Sequence, residues 1–142
     1  MEVTLLNYWL ICLPREDMTH CISIGIFGLG RRQTISNVKE GDKVACVITK
    51  EKSGWKVIGL GEATSDYYAD DKDVFKKPGS FIDRFNFRAE NLNPEISFVD
   101  VLDKLSFITK PEYWPVYFKT GIVKMSAADW QTIESARVDE TE

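Results

Sequence analysis

The chain has 142 residues, 44% of them hydrophobic and 28% charged, so it is long enough for one compact domain and too short for two. Its formal net charge of −4 argues against avid, sequence-independent binding to long nucleic acid, because that affinity comes mostly from cationic contacts to phosphate. No apolar run approaches the roughly 20 residues of a membrane span, and the N-terminus lacks the basic leader and cleavage site of a signal peptide.

Groups for catalysis and metal binding are scarce in the sequence. The three cysteines, Cys12, Cys21 and Cys46, show no ligand spacing, which predicts reduced cysteines in a cytoplasmic protein. His20 is the only histidine, and on a helix the adjacent Cys21 would point about 100° away from it. We therefore predict no metal, no cofactor and no enzymatic activity, and we interpret His20 as a surface or capping residue.

The N-terminal quarter predicts a strand followed by a short helix. Residues 5–12 are a continuous apolar run of strand length, and Pro14 ends it. Glu16 and Asp17 place negative charge where a helix would begin, and Gly25 lies where it would end. The inward face of this helix would carry Met18, Cys21 and Ile22.

The middle of the chain predicts a hairpin and then a long loop. β-Branched residues over 44–49, and again from Val57, favour two strands joined by a turn at residues 53–54. Residues 66–83 have no steady period and predict a long loop, a kind of segment that often carries function.

The C-terminal half combines strand and helix periods. Residues 84–90 alternate, which predicts a half-buried strand with Phe85, Phe87 and Ala89 on one face. Residues 97–105 change to helical spacing, residues 116–125 return to strand composition, and residues 126–136 predict a closing helix with Ser126 as its N-cap. Strands outnumber helices without alternating with them, so the pattern favours an α+β fold with a mixed, strongly curved sheet or small barrel.

Residues 25–34, GIFGLGRRQT, hold three glycines followed by two arginines. A dinucleotide fingerprint would need glycine where Gln33 stands, and the Gly-Lys-Ser/Thr of a P-loop is missing. Phe27 is the distinctive residue of this stretch. Aromatic residues on loops, interleaved with Arg31, Arg32 and Arg84, have the composition that nucleobase stacking uses. The alternative is that each ring packs in the core.

Six segments, in order, resemble the EVE domain family, which belongs to the PUA-like superfamily and is related to YTH domains. They are YWLICLPRED, GIFGLG, VKEGDKVACVI, VIGLGEATSDYY, RFNFRA and EYWPVYFKTGIVKM. The resemblance implies a PUA-like mixed β-barrel or curved sheet with flanking short helices, in one domain over residues 1–138 with an acidic tail over 139–142. YTH relatives hold a methylated adenine of RNA in an aromatic cage, and EVE relatives are associated with modified bases, including modified cytosine in DNA.

The resemblance also implies a set of ligand-binding positions. Phe27 falls on the cage tryptophan and Phe81 on a second cage aromatic, so we expect the glycine loop to present Phe27 and its backbone N–H groups to a base. Phenylalanine offers a smaller π-face than the tryptophan of YTH readers. The expected ligand-binding residues are Leu13, Arg15, Phe27, Gly28, Leu29, Phe81, Trp114 and Phe118. The expected phosphate or backbone contacts are Arg31, Arg32 and Arg84.

These observations favour a non-catalytic module that recognises a modified nucleobase, in DNA, in RNA or as a free nucleotide. One alternative is a protein-interaction module without a nucleic-acid ligand. Another is a small nucleotide-acting enzyme that uses Cys12 or His20.

Overall fold

The computed structural model describes residues 6–29, 34–49, 54–72, 74–75, 81–91, 95–102, 104–106 and 121–139. Its strands are β1 (Tyr8–Pro14), β2 (Ile26–Leu29), β3 (Lys43–Thr49), β4 (Lys56–Ala63), β5 (Tyr68–Ala69), β6 (Asp83–Asn91), β7 (Ile96–Ser97) and β8 (Ile122–Met125). Its helices are α1 (Arg15–Ile24), α2 (Val99–Leu102) and α3 (Ala127–Asp139), with a 3₁₀ turn at Thr34–Asn37. None of the described helices is long and apolar enough to cross a membrane.

One mixed sheet organises the strands in the order β2-β6-β4-β3-β1-β8, with β5 added to β6 and β7 added to β4. β1 runs parallel to β3, and the remaining pairs are antiparallel. The sheet is a curled half-barrel with β2 and β8 at the two ends of the described strand order. The predicted α+β class, with a curved mixed sheet and short flanking helices, is confirmed.

β1 is buried on both faces, which explains why its sequence is continuously apolar rather than alternating. Trp9 and Ile11 belong to one hydrophobic cluster, which also contains residues of α1 and β2. Leu10 and Cys12 belong to a second cluster, with residues of α2 and α3. Successive side chains of a strand point to opposite faces, so these clusters lie on opposite sides of the sheet.

The helix ends follow the sequence signals. Gly25 ends α1 in the left-handed conformation, with φ 71°, and its N–H donates to the Cys21 carbonyl at 2.8 Å. At the start of α3, the Asp129 N–H donates to the Ser126 hydroxyl at 3.1 Å, as an N-cap requires. Trp130 and Ile133 are buried, as predicted.

Three segments differ from the sequence expectations. The predicted loop over residues 66–83 contains β5, which pairs with β6. The helical spacing over residues 97–105 corresponds to the single turn α2, and Ser97 lies in β7. Of the strand predicted over 116–125, the described part is β8, since residues 107–120 lie outside the described ranges.

Candidate functional site

A cavity of about 270 Å³ opens beside α1. The described residues that line it come from the end of β1, from α1 and β2, and from the chain on either side of residues 76–80. They are Leu13, Asp17, His20, Cys21, Gly28, Phe75 and Phe81. None of these seven residues is lysine or arginine. Apart from Asp17 and His20, the seven residues are apolar or aromatic. A mostly apolar lining with a few polar groups is the composition expected of a small-molecule site.

One face of α1 supplies the polar groups of the cavity. Asp17, His20 and Cys21 are spaced i, i+3 and i+4, so they lie side by side on the helix surface. Leu13 precedes the helix at the end of β1 and adds an apolar contact to the same wall. The position of α1 against the sheet therefore decides which groups a ligand would meet.

Gly28 allows two aromatic side chains to come close to β2 and form a second wall of the cavity. A Cβ at this position would lie 2.9 Å from ring atoms of Phe75 and 2.9 Å from the Phe81 Cβ, closer than side chains allow. In β2 the neighbouring Phe27 points to the opposite face, toward the core. Because Gly28 has no side chain, the glycine-rich stretch leaves room for the rings of Phe75 and Phe81.

Phe75 and Phe81 form this wall. Their ring centroids are 5.3 Å apart at an interplanar angle of 85°, an edge-to-face arrangement of the kind that aromatic pairs prefer. Phe75 is half-buried, whereas the Phe81 side chain is 39% exposed. Phe81 also has a φ of 52°, which non-glycine residues rarely adopt and which is held only where surrounding contacts stabilise it.

His20 connects α1 to the segment that carries Phe75. Its Nε2 lies 2.6 Å from the Val74 carbonyl oxygen, and its ring is 6.1 Å from the Phe75 ring. Because a carbonyl only accepts hydrogen bonds, Nε2 must carry the proton, which leaves Nδ1 of the neutral imidazole as an acceptor. The interpretation of His20 as a surface or capping residue is corrected, since the side chain is partly buried and lines the cavity.

Cys21 is a poor nucleophile in this environment. Burial, with the nearby Asp17 carboxylate, raises the pKa of the Cys21 thiol to about 12, although a hydrogen bond with the Gly28 backbone acts in the opposite direction. Burial, with Cys46 nearby, raises the pKa of the Cys12 thiol far above its ordinary value. Because of these raised pKa values, both thiols remain protonated near neutral pH. Thiolate is the reactive form of cysteine, so both residues are poor nucleophiles.

We expect native Cys21 to react with iodoacetamide at pH 8 about a hundredfold more slowly than in the urea-unfolded chain, because the smaller thiolate fraction is only partly offset by the greater nucleophilicity of a thiolate with a high pKa. A pKa of about 12 leaves roughly one thiol in ten thousand ionised at pH 8, against about a quarter for an unperturbed cysteine. Mass spectrometry of the Cys21 peptide measures both rates. Native and unfolded rates within tenfold of each other would contradict the buried, protonated thiol.

The predicted site residues have different positions in the structure: some line the cavity, others lie elsewhere, and four fall outside the described residues. Leu13, Gly28 and Phe81 line the cavity and so lie close together, while their role in ligand binding stays a prediction. Arg15 lies outside the lining and forms a two-point ion pair with Glu95, at 2.9 and 3.1 Å, which lowers the pKa of the Glu95 carboxyl. Leu29 packs partly buried against the core cluster of α1 and β2.

Two predicted roles are corrected by burial. Phe27 is 0% exposed, with its ring 5.5 Å from that of Phe85 in the core, so in this conformation it cannot stack on a base. Arg84 was expected on the polar face of its strand, but it is 1% exposed and donates to backbone carbonyls, so it cannot reach a phosphate in solution. The remaining predicted residues, Arg31, Arg32, Trp114 and Phe118, lie outside the described residues.

Sequence reasoning missed four lining residues: Asp17, His20, Cys21 and Phe75. A signal for three of them existed, because Asp17, His20 and Cys21 share helical spacing directly after Leu13. No comparable signal marked Phe75, which lies in a segment without a period and reaches the cavity through contacts distant in sequence.

The curled mixed sheet and its short helices give the chain the α+β fold of solved YTH domains. The YTH domain of Zygosaccharomyces rouxii MRB1, solved in complex with N6-methyladenosine RNA, matches with a TM-score of 0.65 and 14% identity over 96% of this chain and 90% of that one. A hypothetical protein from Leishmania major matches with a TM-score of 0.71 and 15% identity, over 97% and 98% of the two chains. These similarities establish the shared fold.

In sequence, the chain is 25% identical to the UPF0310 protein PH1033 of Pyrococcus horikoshii, over 91% of this chain and 97% of that protein. No protein-family model matches the chain. Its resemblance to EVE domains stays a prediction.

Proposed function

We propose that the chain is a non-catalytic module that binds a modified nucleobase in the cavity between α1 and the Phe75–Phe81 pair. The observation that carries this proposal is the aromatic wall, with two rings 5.3 Å apart and one of them 39% exposed. A planar base gains dispersion and stacking energy on such rings whatever its sequence context.

The size and polarity of the cavity suit one base. Its volume of about 270 Å³ lies just below the roughly 300–1,000 Å³ of sites for drug-sized ligands. The Asp17 carboxylate and the His20 imidazole supply acceptors for ring or exocyclic N–H groups. Leu13 and the phenylalanine rings supply apolar surface for an added methyl group.

The fold supports the same proposal. The Zygosaccharomyces rouxii YTH domain binds N6-methyladenosine RNA on a similar scaffold, and this chain carries an aromatic-lined cavity on its own. We therefore propose that it belongs among the EVE relatives of YTH domains, and that its ligand is a modified base in DNA or RNA or a free nucleotide. A cytoplasmic location stays a prediction.

Stacking alone gives weak binding. One stacked base contributes about 1–3 kcal/mol, whereas a micromolar dissociation constant requires about 8 kcal/mol. Hydrogen bonds to Asp17 and His20 and contacts to the sugar or phosphate must supply the rest. Phosphate contacts through Arg31 and Arg32 remain the sequence prediction for this part of the affinity.

An NMR titration tests the proposal directly. The Gly28 amide and the His20 ring are monitored while N6-methyladenine, 5-methylcytosine and 5-hydroxymethylcytosine are added as nucleotides, free and in short single strands. We expect saturable shifts with one modified form and weaker or no shifts with its unmodified parent. Identical shifts with the unmodified parent would show that the modification is not recognised. No shift at millimolar concentration across the panel would reject a nucleobase as the ligand.

A protein-interaction module is the second candidate, because Phe81 and its neighbour Ile82 expose apolar side chains at 39% and 45%. Adjacent exposed apolar residues are a feature of protein-binding surfaces. A flat response in the titration, together with a partner whose binding is lost in Ile82→Ser, would favour this function.

A further inference from the structure

Arg84 is a buried cation directly behind the aromatic wall. It lies on β6 opposite Gly28 of β2 in the sheet register, and it is 1% exposed. Burying a guanidinium costs free energy unless its donors are hydrogen-bonded, so its partners indicate what the residue does.

Among the described residues, its hydrogen-bond acceptors lie on the two segments that carry the cavity rings. The Arg84 Nε donates to the Phe81 carbonyl at 2.8 Å, and Nη2 donates to the Lys72 carbonyl at 2.7 Å. The guanidinium carbon also lies 5.0 Å from the centroid of the Phe75 ring, within cation–π range. One side chain thus contacts the Phe75 ring, the backbone of Phe81, and the chain three residues before Phe75.

The hydrogen bond to Phe81 has a specific use. A phenylalanine with φ 52° occupies a backbone conformation that side chains disfavour, so it must be held by contacts from outside. Arg84 supplies such a contact at the residue itself. Releasing this carbonyl would allow Phe81 to relax, which would turn its ring away from the position that completes the wall.

We infer that Arg84 is the positioning residue of the cavity, which fixes Phe75 and Phe81 relative to each other so that a flat ligand fits between them and α1. The role in binding rests on the function proposed above. Arginine suits it because its forked donors reach two carbonyls while the guanidinium carbon lies over a ring, whereas lysine presents a single point charge.

Arg84→Lys is the principal test, because it keeps the charge but loses the fork. Arg88→Lys is its matched control on the same strand, where Arg88 is exposed and paired with Glu90. Ile133→Val, buried on the opposite side of the sheet, controls for a general loss of stability. Ring resonances of Phe75 and Phe81 are recorded by NMR without ligand, and Kd is measured well below each Tm for the ligand that the panel identifies.

We expect Arg84→Lys to shift or broaden the two ring signals and to raise Kd by about 5-fold or more, the lower end of the loss expected when one stacking ring is misplaced. Both controls should retain the wild-type ring signals and Kd. Unchanged ring signals in Arg84→Lys, or lower stability with unchanged Kd of the folded protein, would overturn the inference. Displaced rings in a protein that binds none of the panel would uphold the positioning of the wall and reject the nucleobase instead.

Discussion

Replacing Phe27 by alanine is expected to lower the free energy of unfolding by about 3–5 kcal/mol while leaving the ligand affinity of the folded protein unchanged. The side chain is fully buried, and its ring packs against Phe85 within the cluster that joins α1 to the sheet. Its removal leaves a cavity that the surrounding strands can fill only in part. Thermal unfolding should shift downward by about 10–15 °C.

Phe27→Leu is the control for this prediction, since it keeps most of the apolar volume and should cost much less stability. The two variants separate the core role from the cage role that the sequence suggested. If Phe27→Ala weakened binding without lowering Tm, the ring would face the ligand after all.

Replacing Phe75 by alanine is expected to raise Kd for the preferred ligand about 5- to 150-fold, the equivalent of one stacked base. The ring borders the cavity, meets Phe81 edge to face, and receives the Arg84 guanidinium on its face. Since Phe75 is only half-buried, the fold should survive its removal. Calorimetric titration gives Kd, and circular dichroism verifies the fold.

Trp55→Ala is a matched control, because Trp55 is also half-buried and aromatic but stacks on Phe98 in the cluster of α2 and α3. This variant should bind like the wild type. Unchanged Kd in both Phe75→Ala and Phe81→Ala would reject the aromatic wall as the binding surface.

Local patterns predicted the elements of the fold well. The apolar run of β1, the acidic start and glycine end of α1, and the Ser126 cap of α3 each depend on a few neighbouring residues. Such signals can be read from the local sequence, because the residues that form them belong to a single strand or helix and its ends. The curved mixed sheet followed from the balance of these elements and from the resemblance to EVE domains.

The site was harder to predict, because its geometry depends on which face each residue presents. In GIFGLG the aromatic residue drew attention, yet alternation along β2 directs Phe27 into the core and Gly28 toward the cavity. Arg84 likewise occupied a position that alternation assigned to solvent, and its contacts with Lys72, Phe75 and Phe81, which the pattern of β6 does not show, accompany its burial.

Phe75 belongs to a class of residue that sequence alone rarely identifies. Its position is set by the contact between His20 and Val74, which are 54 residues apart, and by the missing side chain at Gly28. A single sequence contains no direct record of such distant pairs. Phe75, which we expect to matter most for recognition, is therefore defined by contacts that its own segment does not encode.

The pairing of β1 with both β3 and β8 has a consequence for biosynthesis. During synthesis β8 leaves the ribosome more than a hundred residues after β1, since Ile11 pairs with Ile122. At about 5–20 residues per second, one edge of β1 stays open for roughly 5–20 s of elongation. Throughout that interval an apolar strand exposes unpaired backbone groups, so the nascent chain passes through a stage in which aggregation competes with completion of the sheet.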